Sequence, residues 1–301
     1  MLELPVTDAD HLRSLESFLR NRLPDAPPGY ITTLIRKGHA AVTPHRPIDH
    51  PLVTGERIRL KGSARTLSLL RKGPDVVDIL HEDTDIIVIN KPSGIPMHRT
   101  GQDEVTVIDR VKTHFRQRGL QILPRPVNRL DRWTSGVVIL AKSAKGAAIY
   151  GRIVQERGVV KRYLALCHGM VSSTLGIATP IDGRESLTTV HPILTTDHLS
   201  LLLVTPHTGR MHQIRIHLSG AGHPIVGDRR YGGERLSGFP GFFLHSLQTL
   251  IRMGEQTRSV TAPLPSHFID LLDHSFPGER QTTLTRLLDI VRSGSSLSAP
   301  Q

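Results

Sequence analysis

A single cysteine, Cys167, in 301 residues excludes an internal disulfide framework and any cysteine-based zinc site. Aromatic residues are nearly as scarce. Seven Phe, four Tyr and one Trp make up 4% of the chain, too few for a surface that grips single strands by stacking one base after another. No apolar run reaches the roughly 18 residues of a membrane span, and the opening MLELPVTDAD is acidic and lacks the apolar core of a secretory signal. Acidic residues are outnumbered, with 27 Asp and Glu against 38 Lys and Arg, a net charge of +11. That balance disfavours a cationic substrate and favours a polyanion, nucleic acid ahead of a membrane surface. What is present suffices for a core: 38% hydrophobic and 22% charged residues exclude wholesale disorder. The length suits two domains at about 150 residues each, and the expected location is the cytoplasm.

Charge divides the chain. His11 to Lys72 holds twelve Lys and Arg against four acids, whereas Gly73 to Asp85 holds five acids and no Lys or Arg. The switch, with Gly73-Pro74 at its edge, sets an expected boundary near residue 73. Before it, Leu12, Leu15, Phe18, Leu19 and Leu23 recur at helical spacing, and a second helix is expected over Tyr30–Lys37 after a Pro27-Pro28-Gly29 connection. Short strands are expected at Ala40–Val42 and Arg57–Leu60. Beyond it, strands are expected at Val76–Leu80, Ile86–Ile89, Val137–Ala141, Tyr163–Cys167 and Leu199–Val204, with helices over Val105–Arg118 and Ala144–Gln155. Helices and strands do not alternate strictly, which argues against a doubly wound parallel sheet and for an α+β domain with a mixed, largely antiparallel sheet. The tail from Pro277 carries one amphipathic helix (Leu284, Leu287, Leu288, Val291) and then a Ser-rich end expected to be disordered.

The densest chemical signal is Asn128-Arg129-Leu130-Asp131-Arg132-Trp133-Thr134-Ser135-Gly136, followed by the strand ending at Ala141 and by Lys142. A carboxylate sits between two guanidinium groups in a turn before an apolar strand. Alone, such an Asp more often orders its own turn. The whole string resembles the HRLDxxTSG…AK signature of the RluA-type pseudouridine synthases, with Asn128 where the family usually has His. Further matches follow in order: Asn90-Lys91-Pro92-Ser93-Gly94, Lys161-Arg162-Tyr163, Thr208-Gly209-Arg210-Met211-His212-Gln213-Ile214-Arg215 through Leu218, Gly222-His223-Pro224-Ile225-Val226-Gly227-Asp228, and Leu244-His245-Ser246. They span about residues 76 to 272. Residues 12 to 62, with "LIRKGHAAV" and "LVTGERIRL", are similar to the S4 RNA-binding module. The resemblance therefore implies an S4-like α/β domain over 1–72, a catalytic pseudouridine synthase domain over 76–275, and a helix with a disordered tail over 276–301.

It implies isomerisation of uridine to pseudouridine in structured RNA, with large-subunit ribosomal RNA favoured and transfer RNA the alternative. Nothing is oxidised and no group is donated, so no cofactor is called for. In the family pattern Asp131 is the catalytic carboxylate, which either attacks C1′ or removes a C2′ proton. Arg215 is its buried partner, and Tyr163 lines the uracil pocket with its hydroxyl near C5. Arg129 helps hold RNA open around the extruded nucleotide, and Arg36, Lys37 and Arg210 are further candidate RNA contacts. Asn128 is expected to modify loop packing or RNA contact. The histidines His207, His212, His217 and His223 lack metal-ligand spacing, so no metal is expected, and a basic RNA-contacting surface accounts for them as well. No membrane association and no obligate protein partner are implied, and the chain is expected to be a monomer. A non-catalytic RNA-binding protein of the same fold is the rival reading, set against the presence of Asp131, Tyr163 and Arg215. A nucleoside glycosidase would need a second carboxylate beside Asp131, and none accompanies it in the matched motifs.

Overall fold

The computed structural model describes residues 1–24, 26–43, 50–70, 77–99, 105–236 and 238–292. The charge switch at 73, the start of the strand expected from Val76, and the Ser-rich end from residue 293 lie outside the described residues.

Six elements form an N-terminal unit: β1 (Leu2–Pro5), α1 (Leu15–Arg22), α2 (Pro28–Arg36), β2 (Ala40–Thr43), β3 (Arg57–Leu60) and α3 (Ala64–Ser68). Its antiparallel sheet has the order β1-β3-β2, and Leu15, Phe18, Leu19, Ile31, Leu34 and Ile58 belong to a core separate from the main one. β1 escapes sequence analysis because four alternating residues are too few to register a period. α1 starts three residues later than the apolar spacing suggests. Ser14 caps it by accepting the Ser17 N–H, while Leu12 sits at φ 68° and turns into the core of the larger domain. α2 takes in Pro28, which the sequence places in the connection. Proline is tolerated in a first helical turn because the N–H it lacks would have no partner there.

The larger sheet has ten strands. β4 (Ile79–Glu82), β5 (Ile86–Lys91), β6 (Arg125–Pro126), β7 (Ser135–Ala141), β8 (Val159–His168), β9 (Leu175–Ile177), β10 (Thr188–Thr195), β11 (Leu199–Pro206), β12 (Leu244–Met253) and β13 (Gln256–Thr261) run in the order β4-β5-β7-β12-β8-β11-β10-β9, with β6 on β7 and β13 on β12. The pair β7–β12 is parallel and the other pairs of this sheet are antiparallel. The mixed, largely antiparallel α+β architecture expected from the sequence is the one observed.

Alternation within β5 and β7 explains the layering, since successive side chains of a strand point to opposite faces. Ile87, Ile89, Val138 and Leu140 join the main core with Val107, Val111 and Phe115 of α4 (Val107–Gln117), whereas Ile86, Val88, Val137 and Ile139 pack with Tyr150 of α5 (Ala144–Gln155). Both faces are covered, which is why these strands read as unbroken apolar runs. Three further helices complete the domain: α6 (Gln213–Gly220), α7 (Ser266–Ser275) and α8 (Arg280–Arg292). α8 is built into the fold. Leu287 and Val291 lie in the main core, and the carbonyls of Ile290 and Val291 accept hydrogen bonds from Arg162 (2.9 Å) and Gln248 (3.0 Å). Among the described residues, no helix is long and apolar enough to cross a membrane.

α1 docks on β4. Arg13 grips Asp78 with two bonds of 2.7 and 2.6 Å, and Arg20 donates to the Glu82 carbonyl at 2.6 Å. The Asn21 amide both donates to and accepts from the Ile79 backbone, each at 3.1 Å. Asn21 thereby satisfies backbone groups that an edge strand would otherwise leave open.

Candidate active site

The loop from Asn128 to Thr134 is tied down on two sides. The Asn128 side chain is buried and bonds to β7, donating to the Val137 carbonyl (3.3 Å) and accepting the Ile139 N–H (2.8 Å). Of the two roles open to it in the sequence, loop packing is the one seen. From below, the Asn90–Gly94 turn clamps the loop. The fully buried Lys91 ammonium donates to the carbonyls of Pro92 (2.9 Å), Arg132 (2.8 Å) and Thr134 (2.8 Å). Ser93 donates to the Trp133 carbonyl (2.7 Å), and the Gly94 N–H to that of Arg132 (2.9 Å). Burial pushes the Lys91 pKa down to about 7, against the pull of the Asp131 carboxylate. An ordinary-looking turn sequence thus fixes the backbone of Arg132, Trp133 and Thr134, immediately after Asp131.

Gly136 sets the next distance. It sits at φ 105°, and a Cβ there would lie 2.2 Å from the Ser246 carbonyl oxygen. Its absence lets β7 approach β12 where the two run parallel.

Asp131 is paired across the cleft with α6. Arg215 donates Nη1 to Asp131 Oδ2 at 2.9 Å, and its Nε and Nη2 grip the two oxygens of Asp228 at 2.6 and 2.8 Å. Its guanidinium lies 4.8 Å from the Tyr231 ring centroid and 4.3 Å from that of Phe242. Burial would lower the Arg215 pKa, but Asp228 and then Asp131 outweigh it and hold the group charged. The exposures follow a gradient: the side chains of Asp228, Arg215 and Asp131 are 2%, 8% and 29% accessible. One end of the chain of charges is buried and the other faces solvent. Asp228 is the functional partner that sequence analysis leaves out, although it closes the matched "GHPIVGD" string.

His212 joins from the other side. It opens α6 at φ 55°, an uncommon conformation for a residue with a side chain. Its Nδ1 shares a 2.8 Å hydrogen bond with the Tyr231 hydroxyl, and its Nε2 lies 3.8 Å from Asp131 Oδ2. Burial lowers its pKa, with Asp131 opposing. The available signal was its spacing, three residues before Arg215 and so on the same side of a helix. Tyr163, on β8, is buried among these groups. Burial pushes its phenol up to about 12, and the Asp131 charge adds to the rise. The structure therefore brings Asp131, Tyr163 and Arg215 together, as the sequence motifs suggest.

The other candidates are spread out. Arg129 is exposed beside Asp131. Arg210 is half-buried and donates to the Glu185 carbonyl at 3.0 Å, so part of its capacity holds the loop before β10. Arg36 and Lys37 are exposed at the C-terminal end of α2 and lie outside this cluster. The clustered histidines do not form one basic surface. His217 is buried and bonded to Thr188 (2.8 Å) and the Thr179 carbonyl (2.9 Å), and His207 is bonded to Thr189 (2.8 Å). Burial lowers the pKa of both. Among the described residues, no group of three His, Cys, Asp or Glu side chains is placed to hold a metal ion.

A carboxylate oriented by a buried arginine, beside a neutral phenol and beneath exposed arginines, can act on a sugar carbon of a polyanion. Comparison with known proteins agrees. The family model described as RNA pseudouridylate synthase matches residues 85–220. The ribosomal large subunit pseudouridine synthase C of Buchnera aphidicola subsp. Schizaphis graminum is 31% identical over 248 residues, 74% of this chain and 78% of that one. The chain belongs to the RluA-type RNA pseudouridine synthases. A match of 36% over 181 residues relates this synthase to the mitochondrial tRNA pseudouridine(32) synthase of Saccharomyces cerevisiae, covering 54% of this chain and 38% of the yeast one. The solved structure of human RNA pseudouridylate synthase domain containing 4 has a TM-score of 0.55 at 24% identity, over 64% of this chain and 91% of that one, a likeness of fold. The matched stretch 85–220 of the synthase holds Asp131, Tyr163 and Arg215 and stops short of Asp228.

Proposed function

We propose that this pseudouridine synthase acts on large-subunit ribosomal RNA, with Asp131 as its catalytic carboxylate. The observation that carries the residue assignment is the bridge from Asp131 through Arg215 to buried Asp228. A guanidinium at ion-pair distance favours the charged form of a carboxylate and fixes its direction. The reaction detaches uracil from ribose at N1, turns it, and rejoins it through C5, with the C5 proton leaving. Asp131 serves the sugar, by attack at C1′ or by taking a C2′ proton. A phenol held at about 12 is protonated at neutral pH. Tyr163 therefore packs against the uracil and offers a hydroxyl hydrogen bond, rather than acting as a free phenolate.

C1′ is hidden in a stacked strand, so the target uridine must leave the stack at a cost of a few kcal/mol, least in loops and bulges. Exposed Arg129 lies where it can hold the RNA open, and Arg36, Lys37 and Arg210 contribute phosphate contacts, which position without specifying sequence. The similarity of residues 12–62 to the S4 module supports RNA anchoring by the N-terminal unit. Ribosomal RNA is favoured because the Buchnera relative is matched along 78% of its length and the yeast transfer-RNA enzyme along 38%. The test is pseudouridine mapping of total RNA from cells with and without the gene. Loss of a site in large-subunit ribosomal RNA is expected, and loss confined to transfer RNA would overturn the target.

A further inference from the structure

A cavity of about 620 Å³ opens where the N-terminal unit meets the larger domain, within the roughly 300–1,000 Å³ typical of small-ligand pockets. It lies behind the loop that carries Asp131. Lys91 and Ser93, whose side chains hold the carbonyls of that loop, are in its wall. Two of its lining residues, Asn90 and His267, each carry a buried polar atom, Oδ1 and Nε2, without a hydrogen-bond partner. Such atoms are uncommon in folded proteins and call for a reason. The Asn90 side chain is held in place, since its amide nitrogen donates to Asp78 Oδ2 at 3.0 Å and Asp78 is in turn gripped by Arg13. The free acceptor is thus fixed in direction. Beside it, the Phe239 ring lies 4.7 Å from the His267 ring, centroid to centroid, with 34° between their planes. Arg110, from α4, also lines the cavity, and among the described residues no hydrogen bond or ion pair engages its guanidinium.

A fixed acceptor, a ring nitrogen that can donate or accept, an aromatic face and an uncommitted guanidinium match the three parts of a nucleotide. The first two suit a base edge, the third a base face and the last a phosphate. An acidic peptide would satisfy Arg110 and leave the two buried atoms and the ring without matching groups. We propose that this cavity holds one unpaired nucleotide of the substrate RNA, a second nucleotide site on the far side of the Asp131 loop from the reacting uridine. The proposal rests on RNA being the substrate. It gives the junction between the two units a role in choosing RNA with a second unpaired nucleotide near the target.

The test uses the full chain carrying Asp131→Asn and total cellular RNA containing 4-thiouridine, cross-linked by light and mapped by mass spectrometry. Cross-links are expected in peptides carrying Phe239 or His267 as well as in the peptide carrying Tyr163. In parallel, Arg110→Ala in the otherwise unchanged enzyme should weaken RNA binding about tenfold at low salt. It should also flatten the slope of log K against log salt by about 0.7, the loss of one single-strand phosphate contact. Its single-turnover rate at saturating RNA should stay within twofold. Cross-links at Tyr163 alone, with an unchanged slope for Arg110→Ala, would overturn the second site and leave the enzyme's RNA reading intact. No cross-link at either place would overturn both. Binding of UMP or AMP that Arg110→Ala abolishes, with no RNA cross-link at the cavity, would overturn it in favour of a free-nucleotide site.

Discussion

Asp228→Asn changes one atom and removes one charge. In the native protein Arg215 spans two carboxylates, two of its nitrogens on Asp228 and one on Asp131. With Asp228 neutral, the 8% exposed guanidinium retains Asp131 as its remaining close counter-charge. Breaking a buried ion pair from one side costs about 3–5 kcal/mol. Asp131 persists and the asparagine oxygen still accepts one bond, so the low end, about 3 kcal/mol, is expected. For a chain of 301 residues, at about 2.1 cal/mol/K of unfolding entropy per residue, that lowers Tm by roughly 5 °C. The second effect is positional. A guanidinium released from Asp228 turns to pair its fork with Asp131 and draws that carboxylate off its line, and a shift of about 1 Å in a reacting group costs on the order of 100-fold in rate.

Thermal unfolding followed by circular dichroism reads the first effect. Release of tritium from RNA labelled at uridine C5, under single-turnover conditions, reads the second. RNA affinity should stay within threefold, because Asp228 is buried away from solvent. Arg215→Lys is the companion variant. An ammonium cannot bridge two carboxylates as the planar fork does, so its rate should fall by a similar factor. The two changes together should cost little more than either, since both break one unit. A Tm within 1 °C of wild type and a rate within twofold for Asp228→Asn would refute the idea that Asp228 positions Arg215.

Three further outcomes are expected. Asp131→Asn should keep Tm and RNA binding while tritium release disappears, and turnover near wild type would remove Asp131 from its assigned role. Tyr163→Phe should bind substrate RNA normally and form product very slowly, because packing survives and the hydroxyl does not; an unchanged single-turnover rate would show that the hydroxyl takes no part. Burial pushes His245 from 6.5 down to about 4, so the unfolded chain binds more protons between those values. Its contribution to stability is full above about pH 6.5 and is lost at up to about 1.4 kcal/mol per pH unit as pH falls toward 4. Denaturant unfolding at pH 4.5, 5.5 and 6.5 should show a shallower decline for His245→Asn than for wild type, and parallel declines would contradict this.

How much of this was legible in the sequence depends on how local each signal is. α5 over Ala144–Gln155 matches its expected bounds because Ser143 caps it and small residues fill it. β5 and β7 were evident as apolar runs because both of their faces are covered. β9, β10, β12 and β13 drew no expectation, since β9 is only three residues long and the apolar residues of the others interleave with Thr, Gln and Arg. The bridge from Asp131 to Arg215 spans 84 positions. Its members could be named from the motif string, but their contact could not follow from periodicity. Asp228 and His212 stood in the same strings, and neither has a local pattern that distinguishes a carboxylate partner or a left-handed cap from an ordinary turn residue. His217 shows the opposite hazard. A histidine in a basic, His-rich stretch suggests a surface, yet its hydrogen bonds to Thr188 and the Thr179 carbonyl bury it in the fold.

The basic N-terminal segment invites a picture of a tethered anchor, separable from the chemistry. The contacts of α1 point the other way. Leu12 is fully buried in the core of the larger domain, and the Asn21 amide takes up backbone groups of Ile79 on the edge strand β4. The Arg13 guanidinium holds the Asp78 carboxyl below the usual range against the effect of burial. Asp78 in turn accepts from Asn90, the residue that precedes Lys91, and Lys91 holds the carbonyls of Arg132 and Thr134, just after Asp131. A continuous set of polar contacts therefore runs from the start of α1 to the loop bearing Asp131. A displacement of the N-terminal unit would pull on that set, because its hydrogen bonds have defined directions. Removing the segment would leave Asp78 as an uncompensated charge beside an open strand edge. The N-terminal unit is thus part of the support of the loop that carries Asp131.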